Sequence, residues 1–99
     1  MGLKILVVKP GKRPEVATID GSLESMQKVV GGYIEEIIIE KDIVLICNEE
    51  GRLSGLQPNR LVGGNMIVGT FFLANDNRFG ENYGSLTDEQ INRMMKRFG

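Results

Sequence analysis

Between residues 33 and 60 the chain reads YIEEIIIEKDIVLICNEEGRLSGLQPNR, and the apolar and polar positions fall into blocks. Ile37, Ile38 and Ile39 are followed by the polar Glu40, Lys41 and Asp42, then by an unbroken apolar run from Ile43 to Cys47. Short, β-branched runs separated by a tight polar turn predict two strands of a hairpin. The second has no polar face, so it is expected inside a sheet with both faces covered. Straight after it come Asn48, Glu49, Glu50, Gly51 and Arg52, and further on Asn59 and Arg60. A buried strand that delivers a polar loop is a natural mount for a binding surface.

The same reading extends along the chain. Residues 5–8 predict an internal strand, the Pro- and Gly-bearing segment 10–14 a turn, and residues 15–19 a second strand nearer the edge. Ser22 as N-cap, with Leu23, Met26 and Val30 at helical spacing and Gly31-Gly32 beyond, predicts a short amphipathic helix. Gly51 is expected to take the positive-φ place in the loop after the central hairpin, and residues 55–60 are expected to be irregular. Residues 66–74 read as one strand in which Gly69, followed by Thr70, marks a bulge or a close approach. Thr87 and Gln90 form a capping-box signature, and Ile91, Met94, Met95 and Phe98 make one apolar stripe of a C-terminal helix.

Strand-rich order with two interspersed helices predicts an α+β domain, residues 1–99, with a mostly antiparallel sheet of about five strands and two helices packed on it. Both helices are expected on one face. A strand apolar on both sides then leaves the other face to be covered, and a homodimer is one solution.

Composition narrows the functions. The chain has 99 residues, ordinary apolar content and a formal net charge of −1, so neither a basic nucleic-acid surface nor an acidic mimic of DNA is indicated. It has no histidine and one cysteine, Cys47, which removes the commonest general base, an intramolecular disulfide and a cysteine-based zinc site. Cys47 ends an apolar run and reads as a core thiol. Asp76, Asn77 and Glu81 lack EF-hand spacing. Glu35 and Glu36, adjacent in a strand, point to opposite faces and form no catalytic pair. No cofactor, metal or membrane span is expected, and one free thiol suits a reducing cytoplasm.

The segments KILVVKPGKRPEVATID, SLESMQKVVGGYIE, ICNEEGRLSGLQPNR, VGTFF and GSLTDEQINRMMKRF resemble a family of small proteins of unknown function, found mainly on phages, plasmids and other mobile elements of Firmicutes. The resemblance covers nearly the whole chain and implies a mobile-element accessory protein, with no reaction attached. The expectation is therefore a non-enzymatic module that binds a host protein in counter-defence or regulation. Its expected contact residues are Asn48, Glu49, Glu50, Arg52, Asn59, Arg60, Gly69 and Thr70. The alternative is a binder that sequesters an anionic nucleotide signal, using Arg52, Arg60, Arg78, Tyr33, Phe79, Tyr83 and the Gly69-Thr70 pair. The bland reading of the loop is that its asparagines satisfy turn backbone and that Arg60 pairs with Glu49 or Glu50.

Overall fold

The computed structural model describes residues 2–77 and 83–99. Its elements, in chain order, are β1 (Leu3–Val8), β2 (Glu15–Ile19), α1 (Leu23–Val30), β3 (Ile34–Glu40), β4 (Ile43–Asn48), β5 (Pro58–Val62), β6 (Asn65–Val68), β7 (Phe71–Asn75) and α2 (Asp88–Phe98). β1, β2, β3, β4 and β7 form one antiparallel sheet in the order β2-β1-β7-β4-β3, and β5 pairs with β6 in a separate hairpin. The α+β class and the five-stranded antiparallel sheet agree with the sequence pattern.

Period-two alternation divides the apolar residues of the interior strands between two cores. Ile5 and Val7 of β1, Val44 and Ile46 of β4, and Phe72 and Ala74 of β7 face α1, where Met26 and Val30 cover them. Leu6 and Val8, Ile43, Leu45 and Cys47, and Phe71 and Leu73 face the other way, under Met94 and Phe98 of α2 and under Val62 and Ile67 of the β5–β6 hairpin. The helices thus lie on opposite faces, not on one face as expected. An apolar strand is covered on both sides within one chain, and the uncovered face that argued for a dimer does not exist.

Both helices begin as their sequences direct. The Ser22 hydroxyl accepts from the Ser25 N–H at 3.1 Å, and Gly31 closes α1 at φ 81°. In α2 the Gln90 N–H donates to the Thr87 hydroxyl while the Thr87 N–H donates to the Gln90 side chain. α2 is then strapped to the β3–β4 turn. Arg93 reaches Glu40 at 3.0 Å and Asp42 at 2.8 Å, Arg97 reaches Glu40 at 2.9 Å, and the buried Gln90 amide donates to Asp42 at 2.9 Å. Phe98 meets Phe71 edge to face at 5.6 Å, a contact worth about 1 kcal/mol beyond the area it buries.

Three local expectations are corrected. The single strand expected over residues 66–74 is broken at Gly69, whose φ of 78° ends β6 and lets β7 begin in the large sheet. The segment expected to be irregular contains β5, with Pro58 as its first residue, where a missing N–H is tolerated. Gly51 has no positive φ; a Cβ there would stand 2.6 Å from Val68 Cγ2, so space rather than backbone conformation calls for glycine. The β5–β6 turn does use positive φ, 55° at Gly63 and 86° at Gly64, which fits a two-residue primed turn.

Candidate functional site

The eight residues singled out by sequence separate into three places. Asn48 ends β4 on the α1 side and is spent on backbone. Its amide donates to the Val30 carbonyl at 3.1 Å, and its side-chain oxygen accepts from the Glu50 N–H at 2.7 Å. One side chain therefore ties the end of α1 to the start of the polar loop.

Asn59 and Arg60 are similarly committed. The Asn59 amide donates to the carbonyls of Val8 at 2.9 Å and Gly69 at 2.8 Å. Arg60 donates to the Phe98 carbonyl, to the Lys12 carbonyl at 2.7 Å and to the Asn59 side-chain oxygen at 2.9 Å. Arg60 does not pair with Glu49 or Glu50; it locks the hairpin to the end of α2. Gly69 is held by its neighbours. Its N–H donates to the Gln57 carbonyl at 2.7 Å, and Leu56 fills the space a side chain would need. The close approach expected at Gly69 is internal, and Thr70 is the half-buried link that follows it.

Glu49, Glu50 and Arg52 do share a site. With Glu35 and Ile37 of β3, Cys47 and the committed Asn48 of β4, and Met66 to Val68 of β6, they line a cleft of about 260 Å³. Its origin is topological. The β5–β6 hairpin packs over β4, the neighbour of the edge strand β3, and the 48–56 turn closes one end. Leu53, 87% exposed, and Met66, 39% exposed, give the wall an apolar rim, and Leu61, 66% exposed, faces Met66 across the hairpin.

The cleft is acidic. Glu35, Glu49 and Glu50 stand against one guanidinium, and among the described residues none of the three carboxylates has an ion-pair partner. Arg52 donates to the Met66 carbonyl at 3.2 Å, so its own fork is partly used. Among the described residues, no three His, Cys, Asp or Glu side chains gather closely enough to hold a metal ion. Burial, helped by the Glu35 charge, pushes the Cys47 thiol up to about 11, which keeps it protonated and a poor nucleophile.

Glu35 was missed as a site residue because, in sequence, it reads as a solvated edge charge beside Glu36. The two do point to opposite faces: Glu35 lines the cleft, and Glu36 accepts a hydrogen bond from Tyr83 on the α1 side. Burial and that carboxylate both raise the Tyr83 phenol above its ordinary value. Tyr33 is exposed and Tyr83 is on the α1 side, so neither offers the cleft an aromatic wall. Arg78, Phe79 and Glu81 lie outside the described residues. A wider, shallower hollow of about 610 Å³ is bordered by Glu40, Asp42 and Arg93, which are engaged with one another.

Residues 3–99 match the family described as Domain of unknown function (DUF3846), and the chain belongs to it. No curated protein and no solved structure matches the chain.

Proposed function

We propose that this DUF3846 protein is a non-enzymatic interaction module, an accessory protein of a mobile element that binds a host protein and so serves counter-defence or regulation. The observation that carries the reading is the cleft beside β3. It combines three carboxylates without an ion-pair partner among the described residues, Glu35, Glu49 and Glu50, with exposed Leu53 and Met66 at the rim. Apolar anchors bordered by unpaired charge are what a protein interface uses for affinity and for selection of partner. Three carboxylates lining one cleft suit a partner with several basic side chains.

The anionic-nucleotide reading has less support. Arg52 is outnumbered by carboxylates, and Arg60, on β5, is occupied by the backbone carbonyls of Lys12 and Phe98. A phosphate entering this cleft would meet repulsion before it met a donor.

A photocrosslinking side chain placed at Leu53, with the exposed Lys28 of α1 as control, tests the reading in a bacterial lysate. The expected result is a discrete protein adduct from position 53 that position 28 does not give and that Glu49→Lys diminishes. Adducts common to both positions, or none, would contradict it.

A further inference from the structure

We propose that the outer edge of β3 receives an extended segment of the partner as an added strand, and that this segment alternates basic with apolar residues. The inference deepens the cleft reading and rests on it. β3 is the terminal strand of the sheet, seven residues long, and its inner side pairs with β4. The Glu49 N–H donates to the Tyr33 carbonyl at 2.8 Å, which turns the polar backbone groups of Tyr33 toward β4. In an antiparallel pair these groups alternate in direction, so those of Glu35 and Ile37 also face β4. The N–H and C=O groups of Ile34, Glu36 and Ile38 then point outward. Among the described residues no strand or side chain takes them. Ile38 itself is 60% exposed at this edge.

The other edge of the sheet is a poorer template. β2 has only five residues and directly follows Pro14.

Charge selects the occupant. β3 carries Glu35, Glu36 and Glu40 and no basic residue. Glu40 is neutralised by Arg93 and Arg97, and Glu35 has no ion-pair partner among the described residues. A second copy of this chain would bring another Glu35 and Glu36 to the same seam, so self-pairing is opposed by like charge. A strand with lysine or arginine at every second position meets the opposite situation. Its basic side chains on the α2 side stand beside Glu35 at the mouth of the cleft, within the field of Glu49 and Glu50. Its apolar side chains on the α1 side cover Ile34 and Ile38. The carboxylates that discourage pairing between copies thus favour one class of foreign strand.

The test uses the full chain and three fluorescein-labelled heptapeptides, read by anisotropy and by amide hydrogen exchange. The first alternates lysine and valine, the second alternates glutamate and valine, and the third is the lysine peptide with alternate backbone nitrogens methylated. The lysine peptide is expected to bind saturably and to slow exchange at Ile34, Glu36 and Ile38. The glutamate and N-methylated peptides are expected to bind at least roughly tenfold more weakly. Glu35→Lys is expected to weaken the lysine peptide about tenfold and to strengthen the glutamate peptide, a reversal that a merely damaged fold would not give. No saturable binding of the lysine peptide overturns the proposal. So does binding without slowed exchange at those three amides, or equal binding of the N-methylated peptide. The Leu53 crosslinking result is independent of all three peptides; an adduct there with no protection along β3 would leave the cleft reading standing and remove strand addition alone.

Discussion

Arg60 holds the end of α2: its Nε and Nη2 both donate to the Phe98 carbonyl oxygen, at 3.2 and 3.0 Å. That carbonyl is one of the acceptors a helix C-terminus leaves without an internal partner, and a guanidinium placed there also meets the negative end of the helix dipole. With its other donors on Lys12 and Asn59, Arg60 joins the β1–β2 turn, the β5–β6 hairpin and α2. Removal leaves the partly buried Phe98 carbonyl and Asn59 side-chain oxygen unsatisfied. Arg60→Ala is therefore expected to lower unfolding free energy by about 2 kcal/mol in a urea titration, with Arg60→Lys recovering only part.

Gly69 combines a φ of 78° with Leu56 Cδ1 at 2.6 Å from where a Cβ would sit. The backbone term alone costs an ordinary residue about 1–2 kcal/mol, and the leucine tip must also move. Gly69→Ala is expected to lose at least that much by chemical denaturation. The cleft, which Gly69 does not line, should keep its ligand affinity in the folded fraction.

Acid should loosen the strap between α2 and the β3–β4 turn. The Gln90 amide, and after it Arg93, hold the Asp42 carboxyl below its ordinary value against an opposing effect of burial. A carboxyl depressed by folding stabilises fully above its unfolded value, about 4, and that contribution fades as pH falls through the lower folded value. Thermal midpoints of Asp42→Asn should lie below those of the unsubstituted protein at pH 7 and approach them by about pH 2.

Cys47 should be inert in the folded chain. With the thiol pushed up to about 11, only roughly a thousandth is thiolate at pH 8, and burial limits access further. Modification by iodoacetamide is expected to follow the rate of unfolding, and to become fast in denaturant. Fast labelling under native conditions would contradict the placement of this thiol in the core.

The sequence was most legible where local chemistry decides the outcome. Ser22, Gly31, Thr87 and Gln90 carry their caps in the residues themselves, and the unbroken apolar run of β4 announces an interior strand. The side of the sheet taken by each helix was not legible, because an interior strand such as β4 is apolar on both faces and offers no contrast. Nor was the division of polar residues between structure and surface. Asn48, Asn59 and Arg60 looked like contact residues, yet their partners are the carbonyls of Val30, Val8 and Phe98, eighteen or more positions away. Glu35 entered the cleft only once the hairpin was folded over β4. Glu49, Glu50 and Arg52 were found because a turn leaves its side chains where the sequence puts them, next to one another.

The partner captured at Leu53, titrated against three forms of the protein, tests the central claim most directly. The forms are the unsubstituted chain, the Glu35→Lys/Glu49→Lys double variant, and Arg60→Ala. If the carboxylates of the cleft are the contact surface, the double variant should keep its thermal midpoint and lose at least roughly tenfold in affinity, because exposed charges matter little to stability and much to an oppositely charged partner. Arg60→Ala should lose stability and bind normally in its folded fraction. Unchanged affinity in the double variant, with loss in Arg60→Ala, would move the interface away from the cleft and contradict the claim.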